Sequence, residues 1–503
     1  MTSPQLLLAP QTFEGGLLLV LAIILPVTAA LLALLFGHWA ERIALAYMPV
    51  GIAVAFAIAR DVVHSNSVVT YYLGGWAPPL GVALRADGFS ALMLATTALI
   101  IAAAGLFARG TFGSSEGRKP FAFWTLLLAL WAALNCVFLG GDLFNLYVAL
   151  ELLTFAAVPL VCLYGSKETL QAATRYLLFA LFGSVLYLLG VALLYGAYGT
   201  LDIVLLSQRI KPELALWLAA ALMTTGLAAK TALFPFHLWL PPAHAGAPPA
   251  ASAVLSALVV KGSFFLCVRL WFNVLPALPS VEALQVVAAL GAGAILYGSL
   301  LALRQPRLKL LIAYSTVAQI GYLFMLFPLA AGGAPWSTAA WTGGLLQAVS
   351  HAFAKASMFL AAGLIAETLG HDRISEMRGV GRLLPVTVTA FALGGLSLMG
   401  LPPSGGFAAK WLLMAASVES GQWVWALIML LGGLLAGGYV LRVVLPALTA
   451  PDIALTAKTM PSRTREGAVL ALALVAVLIG FAPRCFLDWL QIGRPLLALV
   501  GTP

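Results

Sequence analysis

A polytopic, all-α membrane fold of about fourteen helices is what this sequence predicts. Three observations carry that expectation. Of 503 residues, 62% are hydrophobic and 9% charged, against roughly 25% charged in a soluble domain. Apolar runs of about 20 residues, the length that crosses a hydrocarbon core, recur along the whole chain. Lys and Arg gather in alternate connections between those runs.

The runs place spanning helices near 16–36, 43–63, 86–108, 120–140, 142–164, 170–198, 213–234, 250–271, 281–303, 308–330, 338–369, 384–419, 422–448 and 466–490. The stretch 405–448 is too long for one crossing. Glu419-Ser420-Gly421-Gln422 divides it, and its first part completes the helix begun at 384. No basic n-region precedes the first run, so no cleavable signal peptide is expected.

The connections set the orientation. Odd-numbered helices are followed by Arg42; by Arg109, Arg118 and Lys119; by Lys167; by Arg304, Arg307 and Lys309; by Arg373, Arg378 and Arg382; and by Lys458, Arg463 and Arg465. Even-numbered helices are followed only by Arg85, Arg209, Lys211, Arg269 near a helix end, and Arg494. The positive-inside rule makes the odd connections cytoplasmic. A bacterial inner membrane protein with both termini on the outer side follows. The net charge of +9 belongs to these dispersed loop cations; no basic stripe with interleaved aromatics suggests nucleic acid. Cys136, Cys162, Cys267 and Cys485 form no C-x-x-C pair, so iron–sulfur, zinc and disulfide readings lack support. No metal site and no cofactor are expected.

An internal repeat runs at an offset of 180 residues, relating Arg175 to Lys355 and Lys230 to Lys410. Gly226-Leu227-Ala228-Ala229-Lys230 aligns with Gly406-Phe407-Ala408-Ala409-Lys410, and Gly183 with Gly363. Five helices separate the copies, and an odd spacing inverts the second in the membrane. Inverted repeats with broken helices are a transporter architecture with sites near the midplane. The expected organisation is 1–119 (helices 1–3), 120–275 (first repeat, helices 4–8), 280–450 (second repeat, helices 9–13) and 460–503 (helix 14), with helices 7 and 12 discontinuous.

Charges inside the membrane mark the candidate site, because each costs at least ~2.5–3.5 kcal/mol at the bilayer centre. Glu151 lies ~13 Å beyond the start of its span at Asp142, near the middle of a ~30 Å core. Lys230 precedes Pro235, Pro241 and Pro242, which should break helix 7 and leave the lysine at the carbonyl end of a half-helix. Such a break is tolerated inside protein or beside water. Lys261 lies ~18 Å along its helix from Pro249. His351 and Lys355 share one helical face. Lys410 follows a second break at Leu401-Pro402-Pro403-Ser404-Gly405-Gly406. His237 and His244 flank the first break, where a structural role and a proton connection to one surface are equally open. Desolvation disfavours the charged form of a lysine, while a nearby carboxylate favours it. Lys230 is therefore expected to keep its proton beside Glu151 and yield it toward Lys261, His351 and Lys355 when the pair separates. Lys410 is then the terminal site of a coupled set. Arg175 and Asp142 are candidate modulating residues.

Three segments resemble the antiporter-like subunits shared by Mrp-type cation/proton antiporters, respiratory complex I and membrane-bound hydrogenases. They are Lys230 to Pro249, Leu308 to Tyr322, and His351 to Ala356. The resemblance covers about residues 85–450. It implies that Glu151, Lys230, Lys261 and Lys410 carry protons. Asp142-Leu-Phe-Asn-Leu-Tyr-Val-Ala-Leu-Glu151 looks most like the D subunit of Mrp antiporters, and the lysine at 410 agrees with that. The further helices and lateral arm of the distal complex I subunit are therefore not expected after helix 14. In one respect it departs from symmetry: Pro402 and Pro403 precede Lys410, whereas Pro235 follows Lys230.

The expected function is thus proton translocation in a multisubunit Na⁺ or K⁺/proton antiporter, with other membrane subunits as partners. The alternatives are a proton-pumping subunit of a complex I-like or hydrogenase redox complex, and a proton channel energising inorganic-carbon uptake. No flavin, quinone or nucleotide motif is evident, so any redox chemistry would belong to partners.

Overall fold

A computed structural model describes residues 16–113, 117–275, 281–450, 456–482 and 484–495. The two chain ends, whose sidedness the loop charges predict, lie outside the described residues. Among the described residues, 13 helices are long and apolar enough to cross a membrane. They are α1 (Leu17–Leu35), α2 (Gly37–Ser65), α3 (Gly88–Phe112), α4 (Arg118–Leu139), α5 (Leu143–Val161), α6 (Lys167–Tyr198), α7 (Leu214–Gly246), α8 (Pro249–Val274), α9 (Val281–Arg304), α10 (Leu308–Ala330), α11 (Pro335–Leu369), α13 (Trp423–Leu448) and α14 (Arg463–Phe481). The remaining crossing, α12, consists of two half-helices, Pro385–Met399 and Gly405–Glu419.

The helices sort by burial. α8 and α11 are enclosed along their apolar windows, whereas α1, α13 and α14 leave most of theirs uncovered. α11 is wrapped by α3, α8, α10, α12 and α14, and α8 is held against α3, α4, α5, α7 and α11. Lipid-facing leucines such as Leu178, Leu434 and Leu478 stay exposed, as expected of a chain whose outer solvent is hydrocarbon.

Both predicted breaks are present. The first half of α7 ends at Thr231, where Ala232 adopts a left-handed φ of 60°. The Leu233 N–H donates to the Ala228 carbonyl at 3.0 Å, and the Trp239 indole N–H donates to the Ala229 carbonyl at 3.0 Å. Carbonyls that would be orphaned at a helix end inside the membrane are thereby satisfied. In α12 the first half-helix is closed by Gly400 at φ 78°. Ser404 then caps the second half by accepting from the Phe407 N–H at 3.1 Å.

Three features differ from the sequence expectation. Val69–Tyr72 and Ala83–Ala86 form a two-stranded antiparallel ribbon between α2 and α3; the β-branched and aromatic run Val-Thr-Tyr-Tyr favours it. α14 stops at Phe481 rather than near 490, and a separate short helix spans Arg484–Trp489; the proline at 483 disfavours helix in the residue before it. Arg269, read as a loop cation near a helix end, instead sits buried inside α8 and pairs with Asp87.

Candidate functional site

Glu151 and Lys230 are in direct contact. The Lys230 Nζ donates to Glu151 Oε1 and to Thr154 Oγ1, each at 3.1 Å. Their side chains are 13% and 6% exposed, so the pair is screened from bulk solvent. The Ser184 hydroxyl on α6 also donates to Glu151. Close approach of α6 and α7 makes this possible: a Cβ at Gly183 would stand 2.6 Å from the Gly226 carbonyl oxygen and 3.1 Å from Lys230 Cγ. Larger residues there would wedge the two helices apart.

Lys261 is fully buried and donates to the Ser256 carbonyl at 2.6 Å. Ser256 belongs to a π-helical stretch, Leu255–Val259, and a second one covers Arg269–Val274. A π turn interrupts the regular α-helical hydrogen-bond ladder, and such turns recur at functional sites. Lys355, also fully buried, donates to the Ile312 carbonyl at 3.0 Å and to the Ser315 hydroxyl.

These two lysines are linked through α10. The Ser256 and Thr316 hydroxyls are hydrogen-bonded at 2.9 Å, and the Thr316 hydroxyl donates to the Ile312 carbonyl at 3.0 Å. A polar seam thus runs Lys261, Ser256, Thr316, Ile312, Lys355. Among the described residues no hydrogen bond connects Lys230 to this seam.

Lys410 donates to the Leu398 carbonyl at 2.5 Å, and its Nζ lies 4.1 Å from the centre of the Tyr322 ring. Leu398 is in the last turn of the first half of α12. Lys230 is in the last turn of the first half of α7. The two copies therefore reach the same arrangement, an ammonium at the carbonyl end of a half-helix, from opposite sides of the break. That accounts for the reversed order of lysine and prolines in the sequence. The Gln319 amide also donates to the Leu398 carbonyl, at 3.2 Å, and the Gln347 amide donates to Gln319 at 3.0 Å.

His351 is buried, and neither ring nitrogen has a protein hydrogen-bond partner. It lies within Coulombic range of Lys261, Lys355 and Lys410. An imidazole whose nitrogens no protein group holds can turn either one toward a neighbouring donor or acceptor. His351→Ala is expected to slow proton-coupled transport while leaving assembly intact; an unchanged rate in reconstituted vesicles removes His351 from the path. His244 stacks on Phe359 at 4.8 Å, with Lys261, Lys309 and Lys355 in Coulombic range. His237 stacks on Phe234 at 5.7 Å and lies beside the Pro235 backbone.

The two candidate modulating residues are placed differently. Asp142 caps α5, accepting from the N–H groups of Phe144 at 2.9 Å and Asn145 at 3.1 Å. Arg175 is exposed on α6 and makes no side-chain hydrogen bond or ion pair among the described residues. Its counterpart Lys355 is enclosed, because α11 is wrapped on all sides while α6 lies at the periphery.

Sequence reasoning missed the hydroxyls of Thr154, Ser184, Ser256, Ser315 and Thr316. A signal existed for one of them: Ser315 falls at helical spacing with Gln319 and Tyr322 on α10.

Buried ammonium groups beside a carboxylate, in a bundle with two broken helices, define a class: multi-pass membrane proteins with an ionisable interior. The chain belongs to the NADH:quinone oxidoreductase/Mrp antiporter transmembrane family, which it matches over residues 140–436. The N subunit of the NADH-quinone oxidoreductase of Desulforudis audaxviator is 34% identical over 394 residues, covering 78% of this chain and 77% of that protein. The D subunit of the Na(+)/H(+) antiporter of Alkalihalophilus pseudofirmus is 28% identical over 424 residues, covering 83% and 84%. Among solved structures, a chain of the Mrp complex from Dietzia superimposes with a TM-score of 0.85 at 25% identity, covering 95% of this chain and 96% of that one. This is an antiporter-like membrane subunit of the kind found in Mrp and complex I-like assemblies.

Proposed function

We propose that the chain translocates protons within a multisubunit Na⁺ or K⁺/proton antiporter, along Glu151, Lys230, Lys261, His351, Lys355 and Lys410. The single observation that carries this reading is the enclosed Glu151–Lys230 contact, an ion pair set against hydrocarbon. Its cost at that depth is hard to explain unless charge must move there. The lysine seam through Ser256 and Thr316 supplies the continuation. Residues 120–275 and 280–450 act as the two inverted repeats, with Lys230 and Lys410 as equivalent sites. The odd connections face the cytoplasm, both termini face outward, and other membrane subunits complete the assembly.

The 34% identity to a quinone oxidoreductase subunit favours a second reading, in which the same path serves a redox-driven pump. Everted vesicles carrying the complete complex separate the two. The antiport reading expects a pre-formed proton gradient to collapse when NaCl or KCl is added, and the response to fall at least about tenfold in Lys410→Ala. Proton uptake driven by an electron donor, with no response to either salt, would establish the pump instead. A response to neither overturns both readings.

A further inference from the structure

One cavity among the described residues lies away from the proton path. It encloses about 1210 Å³ where the ends of α2, α3, α4 and α14 meet, on the face that the loop charges mark as cytoplasmic. Arg42, Arg109, Arg118 and Arg465 line it, and Glu41 is its one carboxylate among the described lining residues. Two of the arginines are already matched: Arg109 pairs with Glu41 at 3.1 Å and Arg465 with Glu367 at 2.7 Å. Arg42 and Arg118 have no carboxylate partner among the described residues; the Arg42 guanidinium lies 4.7 Å from the centre of the Trp39 ring. The amino ends of α2, α4 and α14 converge on the same space, and helix amino ends favour anions.

We propose that this cavity binds the phosphate headgroup of an anionic phospholipid. Cationic recesses between helices at the cytoplasmic interface suit such headgroups. The surroundings favour a lipid over a free phosphate ion. Leu35, Phe36, Trp39 and Leu106 stay exposed beside the cationic groups, Leu35 by 76% and Trp39 by 46%. They offer an apolar wall for acyl chains and an interfacial tryptophan at headgroup level. Arg42 and Arg118 supply charge complementarity, and the stacked Arg42–Trp39 pair holds one of them at the rim.

The test uses the intact multisubunit complex in phosphatidylcholine nanodiscs, titrated with phosphatidylglycerol and read by native mass spectrometry. Wild type is expected to retain one phosphatidylglycerol more than an Arg42→Gln/Arg118→Gln variant, whose affinity should fall by roughly tenfold or more. The Arg42→Lys/Arg118→Lys variant should keep most of the binding, which excludes misfolding as the cause. Equal retention by wild type and the glutamine variant overturns the proposal. Displacement of the lipid by millimolar inorganic phosphate would show a free-anion site and overturn the lipid assignment. Cross-linking of an Arg42→Cys variant to a neighbouring protein of the complex would assign the cavity to a protein contact and overturn it as well.

Discussion

Glu151→Gln and Lys230→Met are each expected to reduce proton-coupled transport by about a hundredfold or more, the range seen when a positioned acid or base is lost. The glutamine variant is the sharper of the two. It keeps an oxygen that can accept from Ser184 and Lys230, the two donors that Glu151 now serves, and removes only the charge. Removing one member of an enclosed pair leaves the other uncompensated at a cost of about 3–5 kcal/mol. In Glu151→Gln that burden falls on the Lys230 ammonium, which loses the carboxylate that now faces it. Both variants should assemble, because Gly183 and Gly226 still let α6 and α7 meet. Full transport in both, with normal subunit content, would refute the pair.

The second large effect concerns stability. Arg269 donates to Asp87 through both terminal nitrogens, at 2.5 and 2.8 Å, and to Ser90 Oγ at 2.9 Å. The two side chains are 6% and 3% exposed. Burial alone would raise the Asp87 carboxyl; the Arg269 guanidinium outweighs it, with help from Arg85 and the Ser90 N–H, and holds the group below its usual range. Arg269→Met should therefore destabilise the chain by about 3–5 kcal/mol, read as a lower thermal unfolding temperature of the purified complex. Asp87→Asn/Arg269→Met should recover most of the loss, since asparagine can still cap α3 and neither member of the pair is left charged without the other. A double variant as unstable as the single one would show that helix packing, not charge, is at stake. The sign with pH is fixed by the depressed carboxyl. Its contribution is complete above the unfolded value of about 3.9 and is lost only as pH falls through the lower folded value.

The bundle was legible because hydrocarbon imposes a simple rule on composition and length, and the ionisable residues stood out because membrane spans rarely contain them. The breaks were legible through proline. The hydroxyl seam was not: a serine or threonine in a helix commonly satisfies itself on a carbonyl one turn back, so Ser256 and Thr316 carry no mark of their role until α8 and α10 are brought together. Asp87 and Arg269 pair across the fold, and nothing local to either predicts the other. The match of Arg175 with Lys355 shows another limit. Alignment reports correspondence of position, whereas burial depends on how many neighbours wrap each helix.

The Ile312 carbonyl accepts from the Ser315 hydroxyl at 2.8 Å, the Thr316 hydroxyl at 3.0 Å and the Lys355 ammonium at 3.0 Å. One oxygen is thus a junction on which three side-chain donors converge. Whatever draws Lys355 away strengthens the hold of that oxygen on Thr316, and through Thr316 changes the setting of Ser256 and Lys261. Two lysines on separate helices in this way border one polar seam without touching.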